Sequence, residues 1–293
     1  FMSQQVRRDD PRFARLGRQF QRNLDEIIRL GAGAGARVVV STVVSRLRDW
    51  PPFGSLHRSG LTVSDRAEWE RVYQAGIAAE IGGDLETAIR NYETAARIDD
   101  AYAELQFRWG ACCLARGQTN EAKTHLQLAR DFDTLRFRTD SRQNELIRQT
   151  VGHHAGSMVS LLDAERLFER ESTSGIPGEE FLYEHVHFTF AGNYLLALLF
   201  AEAVAARLPD AGTQESTPPT GWLSADACAA RLGYTDSQRY EIASLIRRRF
   251  EEPIYQQQLG HTERVKRVDQ ELADLRGNAK PVARRRALDA CRQ

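Results

Sequence analysis

The chain has 293 residues, of which 42% are hydrophobic and 27% are charged, as in a folded globular protein of one or two domains. Its 40 Lys and Arg balance its 40 Asp and Glu, so it has no overall field that would attract nucleic acid or an anionic membrane surface. No apolar run reaches the roughly 18 residues of a spanning helix. We therefore predict no nucleic-acid partner and no membrane segment in this chain.

The four cysteines predict neither a metal site nor a disulfide framework. Cys112 and Cys113 are adjacent, Cys228 and Cys291 stand alone, and the CxxC spacing of thiolate metal sites does not occur. We expect free thiols inside the protein, and no metal or cofactor. The chain begins without a secretory signal, and its sequence does not predict a compartment.

The first predicted elements are a helix and a strand. Residues 11–30 carry apolar side chains at steps of three and four, the spacing of an amphipathic helix, and the GAGAGA segment at 31–36 ends it. The β-branched run RVVVSTVV at 37–44 predicts a strand buried in a parallel sheet. Because the glycines precede the strand, they do not form a dinucleotide-binding fingerprint. Ser55, in the polar loop 45–60 after the strand, stands at no strand-to-helix elbow and is interpreted as a loop serine.

Residues 66–133 contain an internal repeat of small residues. Each recurs after 34 residues, the period of the tetratricopeptide repeat. The recurring pairs are Gly76 and Gly110, Gly83 and Gly117, Ala88 and Ala122, and Ala95 and Ala129. Small residues let paired helices approach closely, and the second glycine of each repeat suits the turn between them. Two repeats do not usually stand alone, so we expect this helical pair to pack on another domain.

A second strand and further helices follow the repeats. Met158–Leu162 is a short apolar strand, and a long apolar helix is predicted near Phe190–Leu208. Residues 209–221 have the composition of a linker. The rest of the chain is predicted to be helical, with Ser224 and Thr235 as N-caps and a basic, solvated tail.

Three polar side chains stand directly before the long apolar helix: Glu184, His185 and His187. If this stretch is extended, the two histidines share one face and Glu184 lies on the other. If it turns, Glu184 and His187 approach each other. A solvated surface loop is a further alternative, and a zinc site would need ligands that no second cluster supplies.

The order of these parts resembles the C-terminal half of an SGNH (GDSL-type) hydrolase that carries tetratricopeptide repeats between its last two strands. Residues 11–57 and 157–208 carry the hydrolase resemblance, and 66–133 carry the repeats. The resemblance implies a truncated three-layer α/β fold with a parallel sheet, in which strand 37–44 lies beside 157–162. It also implies hydrolysis or transfer of an acyl group from a small-molecule or carbohydrate ester.

The last sequence block of that family is Asp-x-x-His followed by a turn and Gly. Here it reads Glu184-His185-Val186-His187, with Gly192 five residues later. By resemblance, His187 deprotonates the catalytic serine and Glu184, in place of Asp, orients the imidazole. Gly192 would turn the chain into the final helix.

The other catalytic residues of the family have no match in this sequence. The family's nucleophile lies in a Gly-Asp-Ser block, and its oxyanion donors are a Gly and an Asn in two later blocks. No Gly-Asp-Ser occurs here, and Arg46 stands where relatives often have Asn. Since the chain opens with Phe1-Met2, we expect an upstream segment that holds the nucleophile, and no turnover by this chain alone.

We predict four regions. Residues 1–62 and 151–208 form the hydrolase-like part, 63–150 the helical insertion, and 209–293 a helical C-terminal extension. The second functional hypothesis is an interaction module, in which the repeat groove binds a protein or peptide on an inactive hydrolase-like scaffold.

Overall fold

We describe the chain from a computed structural model, which covers residues 4–154, 156, 158–208 and 221–278. The described chain is mostly helical, with a small parallel sheet. It forms two compact units, Phe1–Gly192 and Asn193–Gln293. The elements in chain order are α1 (Pro11–Gly33), β1 (Val38–Ser41), α2 (Val63–Ile81), α3 (Leu85–Ile98), α4 (Ala103–Ala115), α5 (Thr119–Phe132), α6 (Ser141–His153), β2 (Val159–Leu162), α7 (Ala164–Glu171), α8 (Phe190–Ala205), α9 (Ala225–Arg231), α10 (Asp236–Arg249), α11 (Pro253–Gln256) and α12 (His261–Asn278).

The sheet consists of β1 and β2, which pair in parallel. Val38 lies opposite Val159 and Ser41 lies opposite Leu162, so the two predicted strands are confirmed as neighbours. Within the described residues the sheet has these two strands. Helices α1 and α6 pack against the sheet through an apolar cluster that includes Ile28, Ile147, Val151 and Val159. Burial of this cluster positions the carboxyl ends of both strands, where the loops of interest begin.

The helical insertion consists of two hairpins, α2–α3 and α4–α5, and its glycines lie where the 34-residue spacing predicts. A Cβ at Gly76 would lie 2.5 Å from the ring of Tyr92, and a Cβ at Gly110 would lie 2.8 Å from Leu126. Gly83, with φ of 80°, follows α2 in a conformation that suits glycine. The small residues are thus explained by close approach of the paired helices.

The insertion packs on the rest of its unit through α4 and α5. Leu47 of the loop after β1 and Ile176 of the segment after α7 share a buried apolar cluster with Cys113, Ala122 and Leu126. This contact fits the expectation that two repeats do not stand alone.

Loop 45–60 is also fastened to the helical insertion by polar contacts. Nδ1 of His57 lies 2.8 Å from Oδ2 of the buried Asp99. The hydroxyl oxygen of Ser55 accepts a hydrogen bond of 2.9 Å from the backbone N–H of Glu104. Ser55 therefore satisfies a backbone donor in the first turn of α4.

The second unit has its own small core. Ala243, Ile246, Phe250 and Leu275 are buried there, and the hydroxyl of Tyr194 donates to the carbonyl oxygen of Leu223 over 2.8 Å. Residues 221–278 are helical as predicted, and none of the described helices has the length and apolarity needed to cross a membrane.

The two predicted N-caps of the second unit differ. Ser224 caps α9 by accepting from the N–H of Ala227, whereas Thr235 precedes α10 without a side-chain capping bond to any described residue. Residues 209–220 of the predicted linker and the predicted basic tail lie outside the described residues.

Candidate active site

The segment Leu182–Phe188 forms a tight turn, which decides between the two geometries that the sequence leaves open. An antiparallel bridge joins Leu182 to Phe188, and the backbone N–H of Tyr183 donates to the carbonyl oxygen of His187 over 2.8 Å. The backbone N–H of His187 donates to Oε1 of Glu184 over 3.1 Å. The turn therefore brings Glu184 and His187 together, which is the turned alternative of the two geometries that the sequence leaves open.

Glu184 lies between two imidazoles. Its carboxylate is fully buried, with Oε1 against Nδ1 of His187 and Oε2 against Nδ1 of His185. The His187 side chain is 58% exposed, whereas that of His185 is 10% exposed. His187 is therefore the more accessible of the two imidazoles. Because its Nδ1 faces the carboxylate, Nε2 is the ring nitrogen on the side away from Glu184.

The electrostatics of Glu184 favour the ionised carboxylate. Burial on its own would raise the pKa of Glu184, but hydrogen bonds and charge from His185 and His187 lower it to about 2. The group is therefore ionised at neutral pH. A buried carboxylate of this kind fixes the tautomer of a neighbouring imidazole and stabilises the imidazolium.

His185 is held in an aromatic wall. Its ring stacks with Trp50 at 6.0 Å between centroids and meets Phe53 edge-on at 5.0 Å. Its carbonyl oxygen accepts a hydrogen bond of 3.1 Å from the N–H of Arg46. We interpret His185 as the residue that fixes the second oxygen of Glu184, while His187 faces solvent.

Arg46 secures the turn from the other side. Its guanidinium donates to the carbonyl oxygens of Leu182 (3.1 Å) and Tyr183 (2.9 Å), and it also pairs with Asp49. The sequence marks Arg46 only as a departure from the family pattern. Its role depends on a contact with a segment 137 residues away, which local periodicity cannot reveal.

Two more buried side chains hold the loop after β1. The amide of Asn144, on α6, accepts from the N–H of Val43 and donates to its carbonyl oxygen, each over 2.9 Å. Arg138 donates to the carbonyl oxygens of Arg46 (2.9 Å) and Trp50 (3.1 Å). Sequence reasoning missed both residues. A buried amide and a buried guanidinium paired with backbone mark a loop held in one conformation.

Gly192 lies within the first turn of α8, which already begins at Phe190. The prediction that Gly192 turns the chain into the final helix is therefore wrong. A Cβ there would collide with the carbonyl oxygen of Phe181. Its N–H donates to the hydroxyl of Thr189 over 3.1 Å. Glycine is needed at this position because Gly192 lies against the backbone of Phe181.

The other candidate residues lie apart from this pair. Ser55 makes no hydrogen bond to Glu184 or His187 among the described residues, and its hydroxyl caps α4 instead. His154 follows the last residue of α6, and its Nε2 lies 2.6 Å from Oδ1 of Asp25. Nowhere in the described ranges do three His, Cys, Asp or Glu side chains form a set that could hold a metal ion.

Comparison with known proteins adds no relative. No protein-family model matches the chain, no curated protein matches it, and no solved structure matches it. The function of the chain is therefore inferred from the geometry around Glu184 and His187.

Proposed function

We propose that this chain carries the general base and its orienting carboxylate for a serine ester hydrolase of the SGNH (GDSL) type, an esterase or acyl transferase. His187 is the general base and Glu184 is the orienting group. The observation that supports this proposal is the contact of a fully buried carboxylate with Nδ1 of a half-exposed imidazole. The substrate class is a small-molecule or carbohydrate ester.

The mechanism follows from the tautomer that Glu184 favours. With the proton on Nδ1 of His187, Nε2 accepts the proton of a serine hydroxyl as the oxygen attacks the ester carbonyl. The imidazolium then donates this proton to the leaving alcohol, and the acyl group stays on the serine. Water, or an acceptor alcohol in a transferase, repeats the two proton transfers and releases the acyl group. Glu184 stays ionised throughout.

The nucleophile and the oxyanion donors belong, in this proposal, to residues outside the present sequence. The support is that no Gly-Asp-Ser block occurs in it and that Ser55 is engaged with the backbone of Glu104.

We propose a structural role for the helical insertion, which would frame the mouth of the cleft. Support comes from its place after loop 45–60 and from the burial of Cys113 and Leu126 against Leu47. The alternative is a peptide-binding groove on an inactive scaffold. It has less support, because part of the α4–α5 hairpin is covered by its own unit.

The first experiment tests where the nucleophile lies. This chain is incubated with a fluorophosphonate probe, which labels activated serines, and the modified residue is identified by mass spectrometry. We expect no labelled serine. Labelling of Ser55 or of any other serine would contradict the proposal that the nucleophile lies elsewhere.

The second experiment tests the base. The coding sequence upstream of Phe1 is determined, and a chain extended to include a Gly-Asp-Ser block is assayed with p-nitrophenyl acetate. We expect His187→Ala to lower kcat by several orders of magnitude, whereas His153→Ala, at the exposed end of α6, leaves it unchanged. Equal activity of the extended protein and its His187→Ala variant would overturn the assignment of His187.

A further inference from the structure

A pocket of about 430 Å³ lies between α1, α6 and the segment that precedes α6. Its lining residues do not include Glu184, His185 or His187. A volume of this size lies within the usual range of small-molecule sites. The pocket is therefore a second candidate binding site, apart from Glu184 and His187.

One end of the pocket carries an excess of positive charge. Four arginines line it: Arg8, Arg136, Arg138 and Arg142. Three carboxylates lie beside them, because Asp140 lines the pocket, Asp131 pairs with Arg8 over 3.5 Å and Asp133 pairs with Arg138 over 3.3 Å. Asp140 is already engaged, because it caps α6 and pairs with Nη1 of Arg136. Arg8 and Arg142 are exposed, so an anion that enters the pocket meets positive charge first.

The two inner arginines have donors without acceptors. Nε and Nη2 of Arg136 and Nε of Arg138 are buried, and no described residue accepts a hydrogen bond from them. The Arg138 side chain is only 2% exposed. Buried charged donors without acceptors cost free energy, which an anionic ligand would recover. Burial lowers the pKa of both guanidinium groups, and the nearby charges of Asp133 and Asp140 offset this effect only in part.

The rest of the lining is mainly apolar. It includes Phe13, Leu16 and Phe20 of α1 and Leu146 of α6, and the guanidinium of Arg136 lies over the Phe13 ring, 4.3 Å from its centroid. Leu16 is 59% exposed and Phe20 is 36% exposed, and Ile27 and Leu30 further along α1 are exposed as well. Gly17 lies between them in the sequence and has no side chain to occupy the pocket. A Cβ there would lie 3.3 Å from Leu146. A purely inorganic anion would leave this apolar wall in water.

We propose that this pocket binds an amphiphilic organic anion, whose carboxylate pairs with Arg136 and Arg138 and whose apolar chain covers Leu16 and Phe20. Arginine suits the role because its planar guanidinium donates to both carboxylate oxygens. This inference does not depend on the proposed ester hydrolysis, since neither Glu184 nor His187 lines the pocket; Arg138 is shared with the loop that supports the candidate active site.

The binding test uses octanoate as the probe. Isothermal titration calorimetry on the whole chain compares octanoate with octanamide, its neutral analogue, and with inorganic phosphate. We expect octanoate to bind at least tenfold more tightly than either of the others. No measurable octanoate binding to the folded protein would overturn the proposal. Equal affinities for phosphate and octanoate would contradict the proposal that the apolar chain of the ligand contributes to binding.

Variants locate the site. We expect Arg136→Gln and Leu16→Gln each to weaken octanoate binding at least tenfold, because one removes a cation and the other the apolar wall. Arg90→Gln is the matched control, since it removes an exposed charge from α3 far from the lining residues, and should bind as the original chain does. Arg138 is left intact because it also holds the carbonyls of Arg46 and Trp50.

Folding of each variant is checked by circular dichroism. If Arg136→Gln does not fold, Leu16→Gln remains decisive, because the exposed Leu16 contributes little to the core. Unchanged octanoate affinity in folded Leu16→Gln would contradict the proposed site.

Discussion

The guanidinium of Arg46 donates to the carbonyl oxygen of Tyr183 over 2.9 Å, so the loop after β1 holds the turn on which Glu184 stands. The same side chain also bonds the carbonyl oxygen of Leu182. The candidate active site thus depends on a contact between two segments that are distant in sequence. Its stability can be measured without any substrate.

We expect Arg46→Met to lower the free energy of unfolding by about 2–4 kcal/mol, because it leaves two carbonyl oxygens and Asp49 without their donor. The measurement is urea denaturation followed by circular dichroism. Arg71→Met is the control, since Arg71 pairs with Glu68 on the exposed face of α2, and it should lower the free energy of unfolding far less than Arg46→Met does. Equal losses in the two variants would show that Arg46 is not structurally important.

Asn144 provides a second test of the loop after β1. Asn144→Ala removes, from a fully buried position, the side-chain partner of both the N–H and the carbonyl oxygen of Val43. We expect a loss of about 2–3 kcal/mol in the free energy of unfolding. Gln149→Ala, one turn further along the exposed side of α6, is the control and should change it by about 0.5 kcal/mol or less. A small effect of Asn144→Ala would mean that water replaces its amide.

Glu184 makes stability depend on pH. Its pKa is lowered from 4.5 to about 2 in the folded chain, so its contribution is present above about pH 4.5 and is lost as pH falls towards 2. We expect the free energy of unfolding to fall by about 2–3 kcal/mol more in the original chain than in Glu184→Gln over this window. Urea denaturation at pH 6, 4.5 and 3 measures the difference. Parallel pH profiles of the two proteins would contradict the lowered pKa.

Gly192 and Gly152 form a matched pair of helical glycines. We expect Gly192→Ala to lower the free energy of unfolding by about 1–3 kcal/mol, because the added methyl collides with the carbonyl oxygen of Phe181. Gly152→Ala meets no atom within 4 Å and should raise it by about 0.5–1 kcal/mol. Thermal unfolding of both variants tests the prediction. The prediction would be contradicted if Gly152→Ala were destabilised while Gly192→Ala kept its stability.

Much of the local structure could be predicted from the sequence, because it depends on short periods. The apolar steps of α1, the β-branched run at 37–44 and the 34-residue spacing of Gly76 and Gly110 each have a local cause that the structure shows. The coarse fold prediction is confirmed only as a helix-rich chain with a two-stranded parallel sheet. The three-layer core stays a prediction.

The candidate site could be predicted only in part. The sequence gives the residue types of Glu184 and His187 but leaves their geometry open, since a turn and an extended strand place them differently. The supporting residues could not be predicted, because Asn144 reaches a loop 101 residues away and Arg138 one 92 residues away. Such contacts follow from tertiary packing and leave no periodic signal.

The pairing of Glu184 with His187 is tested most directly by nitrogen NMR of the histidine rings in this chain. At a pH where the rings are neutral, we expect His187 to carry its proton on Nδ1, with Nε2 unprotonated, and to lose this preference in Glu184→Gln. His153, on the exposed end of α6, is the internal control and should not change. A His187 ring that carries its proton on Nε2, or one that is unaffected by Glu184→Gln, would contradict the proposed general base.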